Sequence, residues 1–362
     1  MKTNKYCVIM AGGSGNKFWP ISRDSKPKQF LDIVGNEQSF IKETFDRFAK
    51  LVPKENILVV TLARYKDTAT KLLPDLLPEN LLLEPYSRNT APCITFAACK
   101  LLKRNPNAVM AASPADHRIL DEDKFLYAIN SALEYADKED ALMTIGIVPT
   151  KPETNYGYIQ VSGKDRGNDR PLKVKTFTEK PDKTLAEIFY KSGEFYWNSG
   201  IFAWKAQTIM EEMKRLIPDV ASVFNGWENA LDTEKEKDFL EKVYSECPKI
   251  SIDYGVMEKT DRAWLFPGHF GWSDLDSWDT LYKVIDGKDK NGNLIFAPQN
   301  LTQDDSGSLV ISRNKKKLYV LKGLKDYMVI DTEDALMICP RNDEDYQDII
   351  SDLGMPDYED FR

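Results

Sequence analysis

Histidine and cysteine are scarce in this 362-residue chain. Only His117 and His269 occur, with Cys7, Cys93, Cys99, Cys247 and Cys339. No CxxC pair and no Cys/His cluster is present, so a structural zinc site has no ligand set. The cysteines read as reduced, mostly buried thiols. Long apolar runs are missing too. The opening MKTNKYCVIMAGG lacks the apolar stretch of a signal peptide, and no later segment reaches membrane-spanning length. Nor is there an excess of positive charge. Forty-nine Lys and Arg face 57 Asp and Glu, a formal net charge of −8. That balance argues against general nucleic-acid binding while leaving room for a local basic pocket. Low-complexity segments and exact repeats are absent. Ser22, Ser113 and Ser273 have no partner pattern of a hydrolase triad. The expectation is a cytoplasmic protein acting on small molecules, with neither nucleic acid nor membrane as partner.

The length and a 42% hydrophobic content support a large core and more than one domain. Apolar runs at 6–10, 57–60, 81–84, 107–113 and 141–147 read as strands. Helical patterns lie between them, over 40–51 (with Ser39 as a cap), 64–73, 89–102 and 122–136. This alternation predicts an α/β fold, a Rossmann-like domain with a mixed, mostly parallel sheet. Segments 156–161 and 172–180 suggest paired strands about the turn at 164–170. A helix is expected near 183–191, a strand entering at 198–204 and a helix to about 216. The acidic stretch 219–247 reads as a surface helical section. Beyond the polar DGKDKNGN at 286–293, short strand patterns follow one another and end in a helix at 343–353. The expected division is 1–285, a catalytic domain, and 286–362, a small β-rich domain.

Several segments can carry chemistry. Ala11, Gly12, Gly13, Ser14 and Gly15 follow the first strand. Closely spaced glycines let backbone amides approach phosphate oxygens. A tight turn accounts for them as well, and neither GxxxxGK[ST] nor GxGxxG is present. Lys17, Arg23, Lys26 and Lys28 crowd the flank, suiting a triphosphate and a leaving pyrophosphate. A solvated basic loop is the alternative, against which Trp19 and Phe30 argue as anchors. Asp116 closes an apolar run and Asp274 sits in GWSDLDSW. Carboxylates at loop ends can hold Mg²⁺ on phosphates, and they can equally be helix caps or turn residues. Gly157 between two tyrosines, the pair Glu179 and Lys180 before a proline, and Asn198 offer contacts for a sugar phosphate. His117 reads as structural, since an anionic phosphate nucleophile needs little proton abstraction.

These segments, taken in order, resemble the mannose-1-phosphate guanylyltransferases within the sugar-nucleotide pyrophosphorylases. The resemblance rests on AGGSGNKFWPISRDSKPKQFL at 11–31, EPYSRNTAP at 84–92, SPADH at 113–117 and NYGYI at 155–159. It continues through FTEKP at 177–181, YWNSGIFAW at 196–204, SIDYGVMEK at 251–259 and GWSDLDSW at 271–278. It implies a glycosyltransferase-A-like catalytic domain followed by a β-helical or β-rich extension. It also implies transfer of GMP from GTP to α-D-mannose 1-phosphate, forming GDP-mannose and pyrophosphate, with Mg²⁺ as cofactor. A guanylyltransferase for a related sugar such as mannoheptose 1-phosphate is the alternative, and a non-catalytic nucleotide-sugar binding protein the remote one. By resemblance, Lys17, Arg23, Lys28, Asp116 and Asp274 form the catalytic set, with Asp116 and Asp274 on the metal. Ala11, Gly12, Gly13, Ser14, Gly15, Glu84, Pro85, Arg88, Asn89 and Asp116 line the nucleotide, and Gly157, Glu179, Lys180 and Asn198 the sugar phosphate. Two positions depart from the family: Lys17 stands where Arg is usual, and Asp276 where Gly is common. Some relatives continue into a cupin-like isomerase domain, so a monofunctional enzyme is expected, as a homodimer.

Overall fold

A computed structural model describes residues 3–13, 17–33, 35, 37–162 and 169–361. Ser14 and Gly15 of the glycine segment, and most of the turn expected at 164–170, lie outside them. The chain forms two compact units, Met1–Gly12 with Ile41–Trp272, and Gly13–Phe40 with Ser273–Arg362.

The first unit is built on a sheet whose opening strands are Lys5–Met10 (β1), Ile57–Leu62 (β2), Leu81–Glu84 (β3) and Val109–Pro114 (β4). They pair in parallel in the order β3-β2-β1-β4. Every residue of β2 is buried, as a strand covered on both faces requires. The helices between them are Phe40–Phe48 (α1), Lys66–Leu72 (α2) and Thr90–Arg104 (α3). Ser39 does not cap α1: its buried hydroxyl makes no hydrogen bond among the described residues.

The chain continues through Arg118–Ile119 (β5), Glu122–Lys138 (α4), Leu142–Ile147 (β6), Tyr158–Val161 (β7), Leu172–Thr178 (β8) and Lys183–Ser192 (α5). Then come Phe195–Lys205 (β9), Ala206–Leu216 (α6), Pro218–Val223 (α7), Trp227–Ala230 (α8), Glu236–Glu246 (α9), Ala263–Gly268 (β10) and Trp272–Ser273 (β11). The sheet order is β3-β2-β1-β4-β9-β6-β10-β8-β7. The expected mixed, mostly parallel sheet is what forms, with β9 and β8 running against the other strands. β9 runs antiparallel to both β4 and β6, and β8 antiparallel to β10 and β7. An apolar run signals a buried strand without encoding its direction, which the connections decide. The acidic section 219–247 also differs from a surface feature. α9 buries Leu240, Val243 and Tyr244 in the unit's core.

The second unit holds Trp278–Val284 (α10), Leu294–Phe296 (β12), Asn300–Gln303 (β13), Leu309–Ser312 (β14), Tyr319–Lys322 (β15), Tyr327–Asp331 (β16), Leu336–Pro340 (β17) and Asp343–Asp352 (α11). Strands β12, β14 and β16 form one parallel ladder, with β17 antiparallel at its edge, and β13 pairs in parallel with β15. β13 was not expected, because its polar sequence NLTQ is largely exposed. This unit does not begin at 286. Phe18 packs edge-on against Trp278 at 4.8 Å, the Trp278 indole donates to the Trp19 carbonyl (2.9 Å), and the Trp19 amide donates to the Tyr346 hydroxyl (2.8 Å). Aromatic burial of this kind binds 13–40 to the C-terminal helices α10 and α11. All five cysteines are buried and free. No helix of the described residues is long and apolar enough to cross a membrane.

Candidate functional site

In the first unit, the carboxyl ends of the parallel strands carry most of the expected nucleotide residues. Ligand loops in open α/β sheets occupy such positions. Ala11 and Gly12 follow β1, Pro85 follows β3, and Asp116 lies just beyond β4. The backbone here is pinned. Ala11 donates its amide to Val60 (2.8 Å), the Thr61 hydroxyl donates to the Ala11 carbonyl (2.9 Å), and the Ala115 amide donates to Met10 (3.0 Å). The Ala11 amide is therefore committed to the sheet. Thr44 adds a hydroxyl bond to the Ala115 carbonyl (3.1 Å), which helps hold the turn before Asp116.

Glu84 is the buried acid of this end, 3% exposed. The Tyr244 hydroxyl donates to its Oε1 at 2.9 Å from α9, 160 residues away in sequence. The other oxygen lies over Gly12, where an added Cβ would meet it at 2.9 Å. Burial pushes the Glu84 carboxyl up to about 7, with the tyrosine bond pulling the other way. Below the unfolded value of 4.5 this group costs the fold nothing. As pH rises to about 7 the unfolded chain ionises first, and stability falls. Above that the full penalty, ~3 kcal/mol, is in place. Glu84→Gln keeps an acceptor for Tyr244, so it should unfold at a higher temperature than the parent at about pH 8 and at the same temperature near pH 4. Thermal unfolding across that range checks this, and a gain independent of pH would remove Glu84 as its source.

Arg88 and Asn89 do not present their side chains as free ligands. Arg88 donates to the Tyr244 and Ser245 carbonyls (2.7 and 3.1 Å), closing the last turn of α9. Asn89 caps α3, accepting the Thr90 amide at 2.8 Å. It does so at φ 71 and ψ −169, a backbone region costing a non-glycine residue about 1–3 kcal/mol and found mostly at functional segments. His117 is buried, edge-on to Trp272 at 5.3 Å.

The expected sugar residues converge elsewhere on the same sheet. Asn198 lies on β9, whose antiparallel register with β4 brings Gly200 beside Pro114. The Asn198 amide N–H donates to the Gly157 carbonyl (2.8 Å). A Cβ on Gly157 would stand 2.3 Å from Glu179 Oε2 and 3.2 Å from Asn198 Cβ, so only glycine lets the carboxylate sit there. Glu179 Oε2 is buried without a hydrogen-bond partner among the described residues. A buried acceptor left open is a place for a ligand hydroxyl. Burial pushes the Glu179 carboxyl up to about 7, Asp253 and Glu258 push the same way, and Lys180 and Asn198 oppose them. Lys180 is largely exposed, 3.9 Å from Glu179 Oε1. Asp253 was not among the expected site residues, although its segment had been noted. It accepts the Asn198 side-chain N–H at 2.8 Å.

The expected cations belong to the second unit and separate there. Lys17 is half-exposed, 3.3 Å from Asp274. Lys28 is buried, donating to the Asp274 and Leu275 carbonyls (2.9 and 3.1 Å) and lying 3.6 Å from the Asp274 carboxylate. It thus holds the 274–275 backbone. Gln29 donates to the Gly13 carbonyl (3.0 Å). Arg23 turns away, donating to the Pro20 and Phe361 carbonyls and to Asp334. Asp276 accepts the Thr280 hydroxyl at 2.9 Å, next to the start of α10.

Residues 6–291 match the nucleotidyl transferase family. The chain is 37% identical over 341 residues to a mannose-1-phosphate guanylyltransferase of Klebsiella pneumoniae, covering 92% of this chain and 70% of that protein. It is 35% identical over 352 residues to the alginate biosynthesis protein AlgA of Pseudomonas aeruginosa, covering 96% and 71%. A crystal structure of a mannose-1-phosphate geranyltransferase from Thermus thermophilus superposes with a TM-score of 0.83 at 30% identity, covering 98% of this chain and 100% of that one.

Proposed function

Because the chain belongs to the nucleotidyl transferase family, and within it to the mannose-1-phosphate guanylyltransferases, we propose that it transfers GMP from GTP to α-D-mannose 1-phosphate. The products are GDP-mannose and pyrophosphate. The observation that carries this reading is the 37% identity extending over 92% of the chain.

The reaction is a direct displacement. A phosphate oxygen of the sugar 1-phosphate forms a bond to the α-phosphorus of GTP as the bond to the β-phosphate oxygen breaks, and pyrophosphate leaves in line. One phosphoanhydride replaces another, so the reaction is reversible and no covalent enzyme intermediate is required. The nucleophile is already anionic, which makes orientation and charge neutralisation the tasks of the protein. Glu84 and the Gly12 backbone belong to the nucleoside end in this reading. Gly157, Glu179 and Asn198 take the hexose, and the exposed Lys180 can reach its phosphate. Arg88 acts by shaping the loop.

Mg²⁺ is the cofactor of this reading, and the carboxylates for it are Asp116 and Asp274. Both are hard oxygen donors of the kind Mg²⁺ takes. When bound, the ion offsets negative charge on the phosphates. The C-terminal strands are read as a short β-helical coil, because successive strands alternate between two parallel ladders. A cytoplasmic homodimer completes the proposal.

The test is pyrophosphate release with Mg²⁺, crossing GTP, ATP, UTP and dTTP with mannose, glucose and mannoheptose 1-phosphates. Release confined to GTP with mannose 1-phosphate is the expected result. Release with another pair would change the substrate, and none from folded protein would overturn the catalytic reading.

A further inference from the structure

Residues Asp253–Met257 form a π-helical turn, a rare wide coil that recurs at functional sites. The turn and the residue after it contact both residues read above as hexose ligands, Asn198 through its side chain and Glu179 through its backbone. The Asp253 carboxylate accepts the Asn198 Nδ2–H at 2.8 Å, and Glu258 Oε1 accepts the Glu179 backbone N–H at 3.0 Å. A primary amide is nearly symmetric in shape, so packing alone does not decide which end faces a ligand. Here the hydrogen bonds decide it. Asn198 Oδ1 accepts from Thr144 Oγ1 (3.3 Å) and from the Gly200 amide (3.1 Å), which leaves the nitrogen for Asp253. The same side chain also hydrogen-bonds Glu179, and the two residues meet over Gly157.

We propose that Asp253 is a positioning residue for sugar recognition: it fixes the Asn198 amide nitrogen-first, so that an N–H donor stands beside the Glu179 acceptor. The amide so held steadies the Glu179 carboxylate, whose Oε2 is the acceptor for a hydroxyl of a hexose 1-phosphate, and reversing the amide would set acceptor against acceptor. This rests on the reading of Gly157, Glu179 and Asn198 as the hexose site. The burial that holds the Asp253 carboxyl above its usual range, with Glu258 pushing the same way, is consistent with a buried structural acceptor rather than a solvated charge.

Asp253→Ala should raise KM for the sugar 1-phosphate about tenfold or more, with KM for GTP unchanged. Its preference for mannose over glucose 1-phosphate should shrink alongside. Asp253→Asn retains a carbonyl that can accept the same N–H, so it should stay within about threefold of the parent. In a double-mutant cycle, Asp253→Ala should add nothing to Asn198→Ala, because it acts through that amide. The proposal is overturned if Asp253→Ala leaves sugar KM unchanged or raises both KM values alike. It is also overturned if Asn is as damaging as Ala, or if the two alanine effects add. Failure of the underlying site reading is recognised separately, by Asn198→Ala alone leaving sugar KM intact.

Discussion

Asp116→Asn should lower turnover by roughly 10³-fold while the protein stays folded. The turn that carries Asp116 is held by backbone and hydroxyl bonds, from Ala115 to Met10 and from Thr44 to Ala115. Asparagine keeps the shape and removes only the charge. If Asp116 serves the metal, the loss should appear with a higher Mg²⁺ concentration for half-maximal rate and with an unchanged unfolding temperature. Normal turnover in this variant would remove Asp116 from the chemistry. Asp274→Asn should be as inactive but less clean, since Asp274 also faces Lys17 at 3.3 Å and Lys28 at 3.6 Å. Removing one partner leaves the buried Lys28 ammonium under-compensated, so some loss of stability should accompany the loss of rate.

Gly157→Ala should reduce kcat/KM for the sugar 1-phosphate by roughly 10²-fold or more, through loss of the geometry the hexose needs. The new methyl would stand 2.3 Å from Glu179 Oε2, far inside contact distance, and the carboxylate would have to leave. GTP binding, followed by calorimetry, should be retained. Glu179→Gln tests the same acceptor through pH. With its carboxyl pushed up to about 7, Glu179 is ionised above that pH and protonated below it. Sugar affinity in the parent should therefore weaken as pH falls through about 7. The glutamine variant should lack this limb and keep only the titration of the substrate phosphate. A parent profile identical to that of the variant would remove Glu179 as the group being read.

Much of the fold was legible because its cues are local. The run LLLE at 81–84 is β3 residue for residue, and the amphipathic stretch after Asp121 is α4 with that aspartate as its cap. Short C-terminal strands were readable from alternating apolar residues, whereas the polar β13 carried no such pattern. The glycine segment, Asp116, Glu179, Asn198 and Asp274 were each marked by residue type and motif.

The sequence alone thus determined which segments are strands and helices, which loop ends carry carboxylates, and which family the chain resembles. Tertiary structure decided how those groups are used. Tyr244 was assigned to an acidic surface section, and folding delivers it to Glu84 across 160 residues. Lys28 is one of the cations marked in sequence, and folding sets its ammonium on the Asp274 and Leu275 carbonyls. Asp253 lay in a noted motif without a role until the direction of β9 brought Asn198 to it. The physical reason is common to all three. A side chain's type sets what it can donate or accept, but its partner depends on strand order and direction, which no local apolar pattern encodes.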